Sequence, residues 1–172
     1  MRFSPPVIAL SLTLLTVASA GYSQRPDAQL DPRSVALVTE GKALLAAQKF
    51  NDAENAFESA LAVDPRNRPA FISLAQTSQR KGLPGKAIRF YREALLIEPN
   101  DIAALGGQGE ALVQKGALVK ARENLARLKQ LCVVACGEQD RLAAAIAKGP
   151  AVPVLSAQAV QPKPVATEAP KN

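Results

Sequence analysis

The segment Ala-Leu-Ala-Val-Asp-Pro at residues 60–65 returns as Ala-Leu-Leu-Ile-Glu-Pro at residues 94–99, and this repeated ending is the strongest indication of the fold. The two prolines that close it, Pro65 and Pro99, lie 34 residues apart. The same offset relates three further pairs: Ala53 and Ala87, Phe57 and Tyr91, and Ala60 and Ala94. A period of about 34 residues, with small, aromatic, small and proline positions at fixed phases, indicates an array of helical hairpins.

Apolar residues at helical spacing extend this pattern on both sides of the repeated segment. Asp31 followed by Pro32 is a typical helix start, with aspartate as the N-cap and proline in the first turn. A terminal helix must then cover the open face of the last hairpin. The predicted fold class is all-α, a right-handed superhelical array of three helical hairpins plus a C-terminal capping helix. The predicted bounds are 32–148 for the domain, about 34–67, 68–101 and 102–135 for the hairpins, and about 138–148 for the capping helix.

The first twenty residues are predicted to be a secretory signal peptide. Arg2 gives a positive start, residues 7–18 are apolar, and Ala18-Ser19-Ala20 fits a small-residue cleavage site. The apolar run has about a dozen residues, fewer than the roughly 18 that a membrane span needs. We therefore expect an exported protein with no transmembrane segment after cleavage, located in the periplasm or, as the second possibility, secreted. Residues 21–31 are predicted to be a flexible lead-in and residues 149–172 a disordered tail rich in Pro and Ala.

Composition argues against several functions. The chain contains no histidine, which excludes a Ser-His-Asp triad, a histidine metal ligand and a haem attachment motif. Without Arg2 the 21 basic side chains fall to 20, against 15 acidic ones, so the net charge is +5. The basic residues are dispersed and few aromatic residues could stack on bases, so we expect no nucleic-acid partner. A weak contact with an anionic envelope surface is compatible with the charge.

The repeated positions resemble the tetratricopeptide repeat family, and the export signal suggests an exported bacterial member. The third unit is the most diverged, because Leu128 and Val133 stand where a small residue and proline are expected. The matching residues are Leu37, Gly41, Leu44, Ala53, Phe57, Ala60 and Pro65 in the first unit, Phe71, Leu74, Ala75, Ala87, Tyr91, Ala94 and Pro99 in the second, and Leu105, Gly109, Leu112 and Ala121 in the third. We interpret all of these residues as packing positions.

The resemblance implies that a protein or peptide partner binds the concave surface formed by the first helix of each hairpin. A solvated face in a spacer protein is the alternative interpretation of the same surface. The residues predicted to face outward there are Val38, Thr39, Lys42, Leu45, Ile72, Ser73, Gln76, Arg80, Glu110, Val113 and Gln114.

Some chaperone adaptors of this family hold a carboxyl terminus with a clamp of basic and asparagine side chains. The corresponding positions in this chain are Val38, Lys42, Ser73, Ala103 and Gly107. Only Lys42 is basic and none is asparagine, so the resemblance does not imply that activity.

Two local motifs could suggest chemistry. The run Gly106-Gly107-Gln108-Gly109 lies inside a predicted helix, whereas a phosphate-binding loop needs a preceding strand. Helix-interior glycines cost roughly 1 kcal/mol each, so we expect them to soften the third unit and to leave a gap in the groove wall. Cys132 and Cys136 are too few ligands for a zinc site. In an oxidising compartment they are predicted to form a disulfide that pins the capping helix to the third hairpin.

The sequence therefore predicts a non-catalytic interaction adaptor of the bacterial cell envelope that needs no cofactor and no metal. One alternative in the same broad role is an accessory subunit of envelope assembly machinery for secretion, pili or cytochrome maturation. An alternative of another class is a thiol-disulfide redox protein that uses Cys132 and Cys136.

Overall fold

A computed structural model describes residues 29–132 and 136–150, and every regular element within those ranges is an α-helix. Apart from residues 29 and 30, these ranges fall in one compact unit that begins at Asp31. The helices are α1 (Pro32–Ala46), α2 (Phe50–Val63), α3 (Arg68–Arg80), α4 (Pro84–Ile97), α5 (Ile102–Gln114), α6 (Leu118–Leu131) and α7 (Gly137–Lys148). The pairs α1–α2, α3–α4 and α5–α6 form hairpins and α7 packs on the last one. The predicted all-α succession of three hairpins and a terminal helix is confirmed.

Polar side chains begin the first helix of each hairpin, and glycines follow two of these helices. Asp31, Asn67 and Asp101 accept a hydrogen bond from a backbone N–H two or three residues later, at 2.9, 3.3 and 2.7 Å. These caps satisfy N–H groups that have no partner within the helix. Gly82 and Gly116, with φ of +71° and +80°, follow α3 and α5. Glycine adopts this left-handed conformation without steric cost, so the chain can reverse there into the second helix.

The first hairpin is held together by an aromatic ring against a glycine. A Cβ atom added to Gly41 would lie 2.5 to 2.9 Å from three ring atoms of Phe57, well inside the distance at which carbon atoms pack. Phe57 is fully buried and shares a core with Val38, Leu45 and Leu74. Because Leu74 belongs to α3, the second hairpin completes the core of the first, as the repeat pattern predicts.

A buried polar cluster also joins the first two hairpins. The Ser34 hydroxyl donates to the carbonyl oxygen of Ala60 and accepts from Nδ2 of Asn67, both at 2.7 Å. The Asp64 carboxylate accepts from the backbone N–H of Asp31 at 3.0 Å, and this bond is the main cause that lowers the pKa of Asp64. Asp64, the acidic residue before Pro65, therefore fixes the start of α1 to the end of α2.

Helix α7 closes the array. It begins 35 residues after α5, which begins 34 residues after α3, so α7 has the phase of the first helix of a fourth hairpin. Leu142 is fully buried, and a Cβ on Gly109 would lie 2.7 Å from its Cδ1 atom. A Cβ on Gly106 would lie 3.0 Å from Cβ of Glu138. The third hairpin is thus covered by side chains of the terminal helix.

The expectation that the glycine run leaves a gap in the groove wall is wrong. The space beside Gly107 is filled by the ring of Tyr91, since a Cβ there would lie 2.7 Å from Cε1 of that ring and nearer still to Cζ and Oη. Gly106 and Gly109 admit side chains of α7 in the same way. These glycines allow close packing between consecutive units. Gly109 is a predicted packing position, whereas helix propensity alone does not identify the packing role of Gly106 and Gly107.

The predicted signal peptide, nearly all of the lead-in and nearly all of the tail lie outside the described residues and stay predictions. Within residues 29–132 and 136–150, none of the helices combines the length and the hydrophobicity that a bilayer crossing requires.

Candidate functional site

An open cavity of 490 Å³, here called the groove cavity, lies where α3, α5 and α7 meet. The first helices of two hairpins and the terminal helix contribute nine of its ten lining residues, and α4 contributes one. The lining consists of Gln76, Gln79, Arg80, Tyr91, Ala103, Gly107, Glu110, Gln114, Glu138 and Arg141. Three amides and four charged side chains make this cavity polar.

Tyr91 and Gln79 form a fixed polar part of the cavity wall. Tyr91 is almost fully buried, and its hydroxyl donates to Oε1 of Gln79 at 2.7 Å. Burial, and to a lesser extent the negative charge of Glu110, raise the pKa of Tyr91, so the phenol stays neutral. The ring can lie this close to α5 because Gly107 has no side chain. The Gln79 amide is therefore oriented by a buried partner.

The charged side chains of the cavity occur with both signs. Nη2 of Arg141 lies 3.1 Å from Oε1 of Glu138, and its Nε lies 3.6 Å from Oε1 of Glu110. Nη1 of Arg80 donates to the carbonyl oxygen of Leu45 at 3.3 Å. The Arg141 side chain is 62% exposed, and exposed ion pairs of this kind contribute at most about 1 kcal/mol. A ligand can therefore break these ion pairs and bind the charged side chains itself at little cost in free energy.

The structure brings four of the predicted concave residues together in the groove cavity: Gln76, Arg80, Glu110 and Gln114. Three others lie outside it, with Thr39 and Lys42 exposed on α1 and Ile72 partly buried on α3.

The remaining four predicted residues are buried, so the expectation that they face outward is wrong. Their exposed fractions are 5% for Val38, 6% for Leu45, 1% for Ser73 and 3% for Val113. The first helices of consecutive hairpins pack against one another, α1 on α3 and α3 on α5. Residues between two such helices are covered by the neighbouring helix. Repeat phase alone does not distinguish these buried positions from the exposed positions on the same helices.

Sequence reasoning missed part of the cavity. Glu138 and Arg141 belong to α7, which the sequence predicted only as a cover for the last hairpin. Tyr91 was interpreted solely as a packing residue, yet its hydroxyl orients Gln79. Gly107, which the sequence places at a clamp position and in the glycine run, lets the Tyr91 ring reach the wall. If α7 is assigned the repeat phase of the first helix of a fourth hairpin, Glu138 and Arg141 are expected in the cavity lining.

The two cysteines lie at the junction of α6 and α7. Cys132 is the C-cap of α6, Cys136 is the N-cap of α7, and their bonded sulfurs hold Cα atoms 5.9 Å apart. Cys132 follows Asp64 and Glu98 at steps of 34 residues as the C-cap of a second helix. The junction therefore places a sulfur link where the other hairpins have an acidic residue. That the disulfide forms in the exported protein stays a prediction.

A comparison with protein-family profiles gives no match. The sequence is 31% identical over 113 residues to a protein of Arabidopsis thaliana described as "Protein CTR9 homolog". This match covers 65% of the chain and 10% of the relative, so the chain spans about a tenth of that relative's length.

Solved structures with the same arrangement include two complexes. The "TPR2B-domain:pHsp70-complex of yeast Sti1" has a TM-score of 0.64 at 16% identity, and the match covers 69% of this chain and 98% of that one. The type III secretion chaperone SycD of Yersinia enterocolitica, in complex with a peptide of the translocator YopD, has a TM-score of 0.58 at 21% identity, with 66% and 86% covered. Likeness at these identities establishes the fold. The described part of this chain has the tetratricopeptide-repeat fold, with three hairpins and a terminal helix.

Proposed function

We propose that this protein is a non-catalytic adaptor of the bacterial cell envelope that holds an extended segment of a partner protein in the groove cavity. The cavity carries the proposal, because it is open, polar and formed by consecutive first helices. Two proteins with the same fold are in complex with a partner or a peptide, which supports a binding role. The envelope location is supported by the signal-peptide pattern of the first twenty residues.

The lining favours a partner segment of mixed polarity. Gln76 and Gln114 are exposed amides that can both donate to and accept from the backbone of an extended peptide. Arg80 and Arg141 offer cationic donors, and the carboxylates of Glu110 and Glu138 balance them. The two arginines and two glutamates give the lining no net charge, unlike a clamp made only of basic side chains. We therefore expect a segment within a chain, carrying polar side chains, in preference to an acidic carboxyl terminus.

Site-specific photo-crosslinking in the producing cells tests this proposal. A photoreactive amino acid at Gln114, inside the groove cavity, is expected to give a discrete adduct with a partner protein. The matched control places the same amino acid at Glu58, which is exposed on α2 outside the cavity. Adducts are detected by gel shift and identified by mass spectrometry.

The expected result is an adduct from Gln114 and none from Glu58. Changing Arg80 to Glu in the Gln114 background should remove most of this adduct, because it reverses a charge in the cavity lining at an exposed residue. The change also removes the hydrogen bond to Leu45, so circular dichroism must show that the variant is folded. The same adduct from both positions, or none from Gln114, would contradict binding in the groove.

A second candidate function within this role is an accessory subunit of envelope assembly machinery for secretion, pili or cytochrome maturation. The observation that favours secretion is the likeness to SycD, which was solved with a translocator peptide. The identity of the crosslinked partner separates this candidate from a general adaptor.

A Cys136→Ser variant separates the adaptor from a thiol-disulfide enzyme. For the adaptor, loss of the short disulfide loop is expected to lower the free energy of unfolding by about 2 kcal/mol on the chain-entropy model. The Gln114 crosslink should persist at temperatures where the variant is folded. Urea unfolding measures the first effect, and the crosslink yield measures the second.

Two outcomes would count against this account of the cysteines. Titration of the exported protein under denaturant should detect no free thiol, whereas two free thiols would exclude the disulfide. If the unmodified protein oxidises dithiols and the Cys136→Ser variant loses this activity with an unchanged free energy of unfolding, the redox protein would be favoured.

A further inference from the structure

Helices α4 and α6 carry the positive charge of the described chain. Helix α4 has three basic residues and one acidic residue, and α6 has four and one, so their net charges are +2 and +3. The rest of the described residues hold 10 basic and 11 acidic side chains, a net charge of −1. The excess charge is thus confined to the second helices of the last two hairpins, away from the lining of the groove cavity except for Tyr91.

Exposed aliphatic side chains concentrate on the same two helices. Among the described residues, five large aliphatic side chains are exposed. Leu96 and Ile97 lie on α4, Leu83 is its N-cap residue, and Val119 lies on α6. Leu96 and Val119 are the most exposed, at 71% and 68%. Only Val35 lies elsewhere, on α1.

Most basic side chains of these two helices face solvent and form no ion pair among the described residues, although Glu93 and Glu123 lie close to them. Arg89, Arg92, Lys120, Arg122 and Lys129 are all exposed, and within residues 29–132 and 136–150 none of them forms an ion pair. Arg92 of α4 and Lys120 of α6 line one cavity of 280 Å³, together with Glu123. Arg92 and Lys120 are therefore neighbours, and Arg89, Arg122 and Lys129 are exposed elsewhere on the same two helices. We call these five residues the basic surface.

We propose that the basic surface binds the headgroups of a membrane leaflet rich in anionic phospholipid, with Leu96 and Val119 contacting its interfacial region. Basic residues near an anionic leaflet each contribute about 1 kcal/mol, and exposed aliphatic side chains add an apolar contribution. The aliphatic component favours lipid over nucleic acid, since base stacking needs exposed aromatic side chains. Phe90, the aromatic residue of α4 other than Tyr91, is partly buried against the core clusters of the first two hairpins.

This surface is separate from the groove cavity, so lipid and partner can bind at the same time. An adaptor that holds a protein segment in its groove would then present that segment at a membrane surface. The inference goes beyond the proposed adaptor function and does not depend on it, because vesicle binding is measured without the partner.

Vesicle flotation with the full-length expressed protein tests the proposal. The probes are vesicles of phosphatidylcholine alone and vesicles that also contain phosphatidylglycerol, at low and high salt. The surface variant carries Arg92→Ser and Lys120→Ser. The control variant carries Lys49→Ser and Lys148→Ser, two exposed residues on other elements, so both variants lose the same charge. Circular dichroism verifies that both are folded.

Binding is expected to require phosphatidylglycerol and to weaken at high salt, because screening shortens the range of the attraction. The surface variant should partition about 30-fold more weakly than the unmodified protein, from about 1 kcal/mol for each residue removed. The control should lose less than about fivefold, the equivalent of one such residue. Equal binding to both kinds of vesicle, no binding to either, or equal weakening of the two variants would overturn the proposal.

Discussion

Replacing Phe57 with alanine is expected to lower the free energy of unfolding by about 3 to 5 kcal/mol, the usual range for a buried Phe→Ala change. The side chain is fully buried, and its ring fills the space that the missing side chain of Gly41 leaves. Loss of the ring leaves a cavity between α1 and α2 that neither helix backbone can close without moving. Urea unfolding followed by circular dichroism measures the change.

The control for this change is the adjacent Glu58→Ala, which is exposed and lies in the same helix. Its effect on the free energy of unfolding should stay within about 0.5 kcal/mol, as for most surface substitutions. If Phe57→Ala and Glu58→Ala had the same small effect, the contact between the Phe57 ring and Gly41 would not contribute to the fold.

Replacing Leu142 with alanine should have the second largest effect, a loss of about 2 to 5 kcal/mol. Leu142 is the buried residue of α7, and its methyl groups fill the space beside Gly109. Without it, α7 retains few apolar contacts with the third hairpin, so its amide protons should exchange before those of α1 to α4. Urea unfolding and hydrogen exchange of the intact protein measure these two effects.

Ala147→Gln is the matched control, because Ala147 is exposed near the end of the same helix. It should leave both the free energy of unfolding and the exchange rates of α7 nearly unchanged. Loss of α7 protection in both variants would show that the helix is not held by Leu142. The Leu142→Ala change should also weaken the Gln114 crosslink, because α7 contributes Glu138 and Arg141 to the groove cavity.

The architecture could be predicted from the sequence because its signals are local and repeated. The offset between Pro65 and Pro99 gave the period, and caps such as Asp31 and Asn67 mark helix starts in any context. Small residues recur at the position of Gly41, as Ala75 and Gly109, and a large residue recurs at the position of Phe57, as Tyr91 and Leu125. Such features depend on residues within about one repeat of each other, and a single sequence displays them directly.

The groove cavity could be predicted only in part because it depends on how consecutive hairpins meet. Repeat phase placed Val38 and Ser73 on the concave side, but packing of α1 and α5 on α3 buries them. Conversely, Arg141 reaches the cavity from a helix outside the three repeats. The fit of Tyr91 against Gly107 joins residues 16 positions apart in different units. Contacts of this kind depend on the angle between neighbouring hairpins, which residue spacing does not specify.

Side chains packed against glycines hold the first hairpin together, join the second hairpin to the third and join the third to α7. Nuclear Overhauser contacts in the isotope-labelled protein are the decisive measurement. We predict contacts from the Phe57 ring to Gly41, from the Tyr91 ring to Gly107 and from the Leu142 methyl groups to Gly109. The Hα protons of Gly41 and Gly107 should also be shifted by the adjacent rings. A helical protein that lacked the Tyr91–Gly107 and Leu142–Gly109 contacts would contradict the account, because its hairpins would not pack in this succession.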